Sequence, residues 1–428
     1  MKILLHSHFP AGHALPMHAV AQALVRKGHT VHWLTSPTHA KRAAQAPVNV
    51  RPEFHATKDT YSIDQPLEKK GETGLLDGDY SRLQGRVLAQ VEDYRRVLRE
   101  IGDIDVLVVD VMPYGAQAMY ELGEIPRWVS LGVIPMYTSG ADAPLATSGQ
   151  APPTSYLGRC VNAFHQWTQQ NLTLPYSLAP VVNKQRRQLG LADLPRGQPL
   201  ESYWYSPFLH IQASSSALEF DQTPATKTGV AFVGPLFAQD STDNPDHVPH
   251  AWDVIVAHPR VIGITQGTFT MNPTSLIIPA IKALSEDKQN LLVVVSPYER
   301  DIREQIDVPS NVLIKEWLPY DFLLPQIRLF VTNGGYGSIT QALYHKVPLL
   351  CAGQTEDKKD TAARVAWAGA GIDLKTDSPS VEQVKQAAEE ILGDERYLAR
   401  AAELGEELKA LGGADEAARL LEEFAKQE

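Results

Sequence analysis

"RLFVTNGGYGSITQALYHKVPLLCAG", residues 328–353, runs from an apolar stretch through three glycines into helically spaced residues and out into a second apolar stretch. Short, continuous apolar runs on either side of a helix are the mark of parallel strands buried on both faces, which only a crossover connection can join. The segment therefore reads as a βαβ unit, and its centre poses a question. In "VTNGGYGS", 331–338, Gly334, Gly335 and Gly337 leave three Cβ atoms out where a helix begins and its first N–H groups lack partners. Such a turn either closes tightly or receives a phosphate, and the glycines alone leave both readings open. No Gly-Lys-Ser or Gly-Lys-Thr follows, so this is not a P-loop, and the spacing is not that of a dinucleotide fingerprint.

The same plan recurs on both sides of this segment. "KILLHS" reads as a strand, the helix after it is expected to start at Pro16, which suits a first helical position, and "TVHWLT" is a strand again. "DIDVLVVD", 103–110, is a further buried strand, followed by the helix "AQAMYELG". From Gly263 a second series begins, with strands in "VIGITQG", "NLLVVVS" and "NVLIKEWL" and a helix in "TSLIIPAIKALS". The fold expected is α/β, with two parallel-sheet domains. Residues 219–253, rich in Pro, Asp and Thr, read as the interdomain connection, so the domains are drawn at 1–235 and 236–410, with a C-terminal helix at 411–428. Residues 60–85 lack periodicity and are expected to form a loop over a site. In open parallel sheets ligands sit beyond the carboxyl ends of the strands, so the two domains are expected to enclose a cleft.

Composition restricts the partners. A net charge of −11 argues against nucleic acid or an anionic membrane as the main one, because both require a positive field. Two cysteines, Cys160 and Cys351, build no disulfide framework, which points to a reducing cytoplasm. "MKILLHSHFPAGH" is not expected to act as a signal peptide, and no integral membrane segment is expected.

"EWLPYDFLLPQIRLFVTNGGYGSITQALYHKVPLLCAGQTEDK", 316–358, resembles the nucleotide-sugar signature of the family-one, UDP-sugar-dependent glycosyltransferases, and "GHALP", 12–16, resembles the amino-terminal histidine motif of the same family. The resemblance implies the GT-B fold, two facing Rossmann-like domains of which the first holds the acceptor and the second the sugar donor, with a C-terminal helix crossing back to the first. It implies that Trp317 stacks on uracil, and that Gly335, Gly337 and Ser338 meet the diphosphate. Asp357 is implied to bind sugar hydroxyls, while Gly267 and Thr268 form another loop toward the diphosphate. Three positions depart from the family pattern. Asn333 replaces a diphosphate-binding histidine, Gln341 a ribose-binding glutamate and Lys358 a glutamine. An amide still donates a hydrogen bond but adds no charge.

Seven of the fourteen histidines lie at 6, 8, 13, 18, 29, 32 and 39, which raises metal binding, yet no acidic residue precedes Glu53 and no spacing matches a zinc motif. The expectation is an enzyme without a cofactor or metal. A loop histidine such as His13 is by itself most often a solvated surface residue. The family motif makes it the base that takes a proton from the acceptor, and Asp110, at the end of a buried strand, its orienting partner. The acceptor expected is an apolar aglycone such as a flavonoid, other phenol or polyketide. Tyr80, Met112, Met136 and Phe164 are the candidate acceptor contacts, with Tyr114, Tyr137 and Trp167 as further pocket candidates, and most of the seven are expected to be core. A UDP-sugar epimerase of the same fold and a non-catalytic nucleotide-sugar sensor are the alternatives.

Overall fold

A computed structural model of the chain describes residues 1–58, 83, 85–220, 229–237, 252–267 and 272–427. It divides into two compact units, Met1–Ala238 with Leu411–Glu428, and Gln239–Ala410.

The first unit carries seven strands: β1 Lys2–His6, β2 Thr30–Thr35, β3 Glu53–Ala56, β4 Val106–Val109, β5 Trp128–Gly132, β6 Leu209–Gln212 and β7 Val230–Phe232. They form one parallel sheet in the order β3-β2-β1-β4-β5-β6-β7. One face packs on the helices Ala11–Arg26 and Gly413–Lys426, through Met17, Val20, Leu24, Leu421 and Phe424. The other packs on Arg86–Ile101 and Tyr114–Glu121, through Val87, Val91, Tyr94 and Met119. A strand covered on both faces has no use for alternating polar residues, which is why β1 and β4 read as unbroken apolar runs.

The second unit carries β8 Val261–Thr265, β9 Leu291–Val295, β10 Val312–Lys315, β11 Ile327–Thr332, β12 Leu349–Cys351 and β13 Gly371–Asp373. These too are all parallel, in the order β10-β9-β8-β11-β12-β13. The helices Ile277–Leu284 and Val381–Gly393 close one face, the latter started by a capping box of Ser380 and Gln383.

In each sheet the strand order reverses direction once, between β1 and β4 and between β8 and β11. At such a switch point the two adjacent loops leave in opposite directions and open a crevice beyond the strand ends.

Three readings of the sequence are corrected. The first helix starts at Ala11, and Pro16 lies inside it. The helix gains a turn before the proline because the N–H groups of His13 and Ala14 bond to the Pro10 carbonyl at 2.9 and 3.0 Å, and Pro16, beyond that turn, forfeits only the single bond its missing N–H would have made. "NVLIKEWL" is strand only to Lys315. The 219–253 stretch is not all connection, since it contains β7, paired along β6. Of the 60–85 loop only Leu83 and Gly85 are among the described residues.

Candidate functional site

β1 and β4 deliver two groups to the first switch point. Asp110 follows β4 directly, and its carboxylate is 1% exposed. His13 sits in the first turn of the helix that follows β1, with Nδ1 3.3 Å from Asp110 Oδ2 and its side chain 19% exposed. Nε2, on the far side of the ring, therefore points away from the carboxylate.

A second histidine, which sequence reasoning passed over, shares the same acid. His8 Nε2 lies 2.9 Å from Asp110 Oδ1, and the His8 N–H donates to Oδ2 at 2.9 Å. Arg86, buried at the start of its helix, donates to His8 Nδ1 at 2.5 Å. His8 Nε2 also lies 2.5 Å from the Val111 carbonyl and 3.2 Å from the Arg86 guanidinium. Burial alone would raise the Asp110 carboxyl. The pull of His8 and the hydrogen bonds from His13 and His8 overcome it and hold the group well below the usual carboxylate range. Beneath them, burial keeps His6 neutral, its pKa lowered to about 3, with Nδ1 2.6 Å from the Tyr94 hydroxyl. His8 is pinned and buried, so His13 is the imidazole of this cluster that meets solvent. The cue for His8 was its place just past β1, one turn-length before His13.

The second switch point collects the residues of the glycine stretch. The helix Tyr336–Tyr344 starts from Gly335, and no side chain caps it. Gly334 has φ +90°, and a Cβ there would stand 3.2 Å from the Lys358 carbonyl, so backbone conformation and packing explain it fully. Gly335 and Gly337 are different. Neither has a positive φ, and a Cβ on either would meet nothing nearer than 3.9 Å. No demand of the fold keeps these two positions bare.

Asn333 is buried, and its amide donates to the Gln266 carbonyl at 2.5 Å, joining the loop after β11 to the loop after β8. Gly267, with φ +72°, completes that join, its Cβ position 3.1 Å from the Asn333 amide. Ser338 Oγ lies 3.5 Å from the Tyr320 hydroxyl, and Gln341 Nε2 donates to the Gly337 carbonyl at 3.0 Å. Trp317 stands past the end of β10 and is 59% exposed, which rules out a core tryptophan. Asp357 precedes the helix Lys358–Trp367. Lys358 is buried, its ammonium paired with Glu356 and 3.3 Å from Thr355 Oγ1. The cation that departs from the family pattern is thus neutralised within its own turn.

The acceptor candidates separate by burial. Met136, Tyr114 and Tyr137 are core, and Met112 packs against that core with φ +60°. Phe164 is 61% exposed on the helix Tyr156–Thr168, its ring stacked at 6.3 Å on the exposed Trp167. Tyr156 and Leu157 on the same helix are exposed as well, and sequence reasoning missed them. Tyr80 and Thr268 lie outside the described residues. Among those described, no helix is long and apolar enough to cross a membrane.

Comparison with known proteins gives this geometry a lineage. Residues 280–424 match the family described as erythromycin biosynthesis protein CIII-like, C-terminal domain. The chain is 31% identical over 423 residues to 4'-demethylrebeccamycin synthase of Lentzea aerocolonigenes, covering 96% of each protein. It is 33% identical over 244 residues to UDP-glycosyltransferase 2 of Phaeomoniella chlamydospora, a match that spans 56% of this chain and 53% of that one. Among solved structures, a spinosyn rhamnosyltransferase superimposes with a TM-score of 0.70 at 21% identity, over 99% of this chain and 100% of that one. The kitacinnamycin glycosyltransferase gives 0.70 at 20% identity, over 99% and 98%. These neighbours show the GT-B fold, and the full-length match shows the lineage: the chain belongs to the family-one UDP-glycosyltransferases.

Proposed function

We propose that the protein transfers a sugar, most simply glucose, from a UDP-sugar to a hydroxyl of an apolar small molecule, inverting the anomeric centre. The observation that carries this reading is the buried Asp110 carboxylate on Nδ1 of the partly exposed His13. A base held in one tautomer by a buried acid is what hydroxyl deprotonation needs, and a sugar sensor needs none. In the reaction His13 Nε2 takes the acceptor proton, the acceptor oxygen attacks the anomeric carbon, and UDP departs from the opposite side with the bonding electrons. Asp110 stabilises the imidazolium that results.

The donor is assigned to the second unit. The uncapped helix N-terminus beside Gly335 and Gly337 offers N–H groups to the departing diphosphate, and its dipole favours the charge that develops there. Trp317 supplies an exposed indole for the base. Asp357 and Gln341 are assigned to sugar and ribose hydroxyls. Asn333 acts by holding the loops after β8 and β11 in register as well as through its own amide. Phe164 and Trp167 offer the aromatic surface for a flat, apolar acceptor such as a flavonoid, other phenol or polyketide. No metal takes part in the transfer.

A panel of phenolic and polyketide acceptors, incubated with UDP-glucose or a thymidine-diphosphate sugar and scored by mass spectrometry, tests the proposal. The second donor is included because a spinosyn rhamnosyltransferase of the same fold is known complexed with thymidine diphosphate. Mass gain of one hexose on an acceptor, with release of UDP, is expected. Sugar isomerisation without acceptor, or tight donor binding with no transfer to any acceptor, would refute it.

A further inference from the structure

The histidines near the start of the chain do not all belong to the site just described. β2 and β3 run parallel at the edge of the first sheet, with His32 paired to Glu53 and Leu34 to His55. Paired residues in parallel strands share a face, as do residues two apart along one strand, so His32, Glu53 and His55 emerge together.

Their donor atoms converge. His32 Nδ1 is 3.1 Å from His55 Nε2 and 3.2 Å from Glu53 Oε2, while His55 Nε2 is 3.9 Å from Glu53 Oε1. Ligands bonded tetrahedrally to zinc at about 2.0–2.1 Å lie about 3.3 Å from one another. Two of the three separations, 3.1 and 3.2 Å, are close to that edge, and the third, at 3.9 Å, closes with a small rotation of the exposed Glu53 side chain. Both imidazoles are buried, while Glu53 is 63% exposed, so an ion has a way in.

The surroundings match those of a ligand set. His55 turns its other nitrogen, Nδ1, toward Glu100 Oε2 at 3.6 Å, the outer carboxylate that orients and strengthens a metal-bound histidine. The nearby cations have other partners. Arg96 donates to Asp93 at 2.8 Å and to the Ala56 carbonyl at 2.6 Å, and Lys2 donates to the Ile101 carbonyl at 2.5 Å.

We infer that His32, Glu53 and His55 form a binding site for one divalent transition-metal ion of the zinc class, with water as fourth ligand. Two imidazoles and one carboxylate suit zinc and exclude magnesium, which prefers oxygen ligands throughout. The role is structural. His32 pairs with Leu4, two residues short of the end of β1, and β2 is separated from β4 and Asp110 by β1. An ion there clips the short edge strand β3 to its neighbour.

The test uses full-length protein without a polyhistidine tag, stripped with EDTA and desalted. Zinc chloride is titrated by calorimetry, with magnesium chloride as control, and the thermal midpoint is read with and without zinc. One zinc per chain and a raised midpoint are expected, with affinity lowered tenfold or more in Glu53→Gln and in His55→Gln, and about tenfold in Glu100→Gln. Glu53 and Glu100 are exposed, so their variants fold even if His55→Gln does not. Absence of zinc binding, or a loss of less than tenfold in Glu53→Gln, overturns the site. Turnover that rises in step with zinc occupancy overturns the structural role.

Discussion

Asp110 Oδ2 lies 3.3 Å from Nδ1 of His13, and the same carboxylate also holds His8, with Oδ1 2.9 Å from its Nε2. One buried acid thus serves two imidazoles, of which only His13 reaches solvent. His13→Ala and Asp110→Asn are expected to lower turnover by about two to four orders of magnitude, the range lost with a general base. UDP affinity, measured by calorimetry, stays unchanged. Near-normal turnover in both variants would remove the pair from the mechanism.

Arg86 positions rather than reacts. Its guanidinium lies 2.5 Å from Nδ1 of His8 and so holds the second imidazole on Asp110. Arg86→Met is expected to move the acidic limb of the kcat/KM pH profile, whereas a purely packing role would change stability alone.

The three glycines separate by experiment. Gly334→Ala forces a side chain into φ +90° and is expected to cost about 1–2 kcal/mol of stability. Gly335→Val and Gly337→Ala meet no such obstacle, so their thermal midpoints hold or rise while UDP affinity falls tenfold or more. Equal UDP affinity in both variants would return the stretch to a simple turn.

Asn333→His tests the departure from the family pattern. A second donor and partial positive charge are expected to tighten UDP binding severalfold, and Asn333→Ala, which cuts the bond to Gln266, to weaken it. No change in affinity or turnover from either substitution would exclude this position from the donor grip.

Acid should loosen the first unit before it protonates Asp110. His18, stacked on Trp33 with ring centroids 4.7 Å apart, has its pKa lowered to about 4, first by burial and then by the charges of Arg42 and His39. The unfolded chain binds a proton at that residue from about pH 6.5 downward. The stability His18 contributes is complete above pH 6.5 and drains as pH falls toward 4. His18→Phe keeps the stack and is expected to reduce the loss between pH 7 and 5 by about 1–2 kcal/mol, read from urea unfolding curves. An unchanged loss would show that His18 charges without penalty.

Turnover is expected to survive EDTA and to need no added manganese, since the proposed mechanism gives proton transfer to His13 and diphosphate stabilisation to backbone N–H groups. Loss of activity in EDTA with recovery in manganese would contradict that.

The parts legible in the sequence were those whose physics is local. β1, β4, β8 and β11 announce themselves as buried apolar runs, and the residues after them, Asp110 and Asn333 included, fall at the strand ends where ligands gather. β13 has three residues, and β7 lies among prolines and threonines, so only pairing with a neighbour makes either a strand. The helix Arg86–Ile101, dense in Arg and Glu, hides its apolar stripe among charges. Burial was the least legible quantity. Met136 and Phe164 are both apolar residues placed near loops, yet one fills the core and the other faces solvent. The meeting of His32 with His55 depends on strand register, which no local spacing encodes.

The last helix, Gly413–Lys426, belongs to the first unit, where Gly413 N–H bonds to the Val233 carbonyl at 2.6 Å and Leu421 and Phe424 complete the core beneath the sheet. The second unit is therefore an insertion in the chain, with its entry and exit both belonging to the first. A chimera meant to exchange donor preference between relatives must be spliced twice, near Ala238 and again near Leu411. A single crossover would graft a foreign helix onto the core of the first unit, and a loss of activity there would report a mismatched core rather than a mismatched sugar.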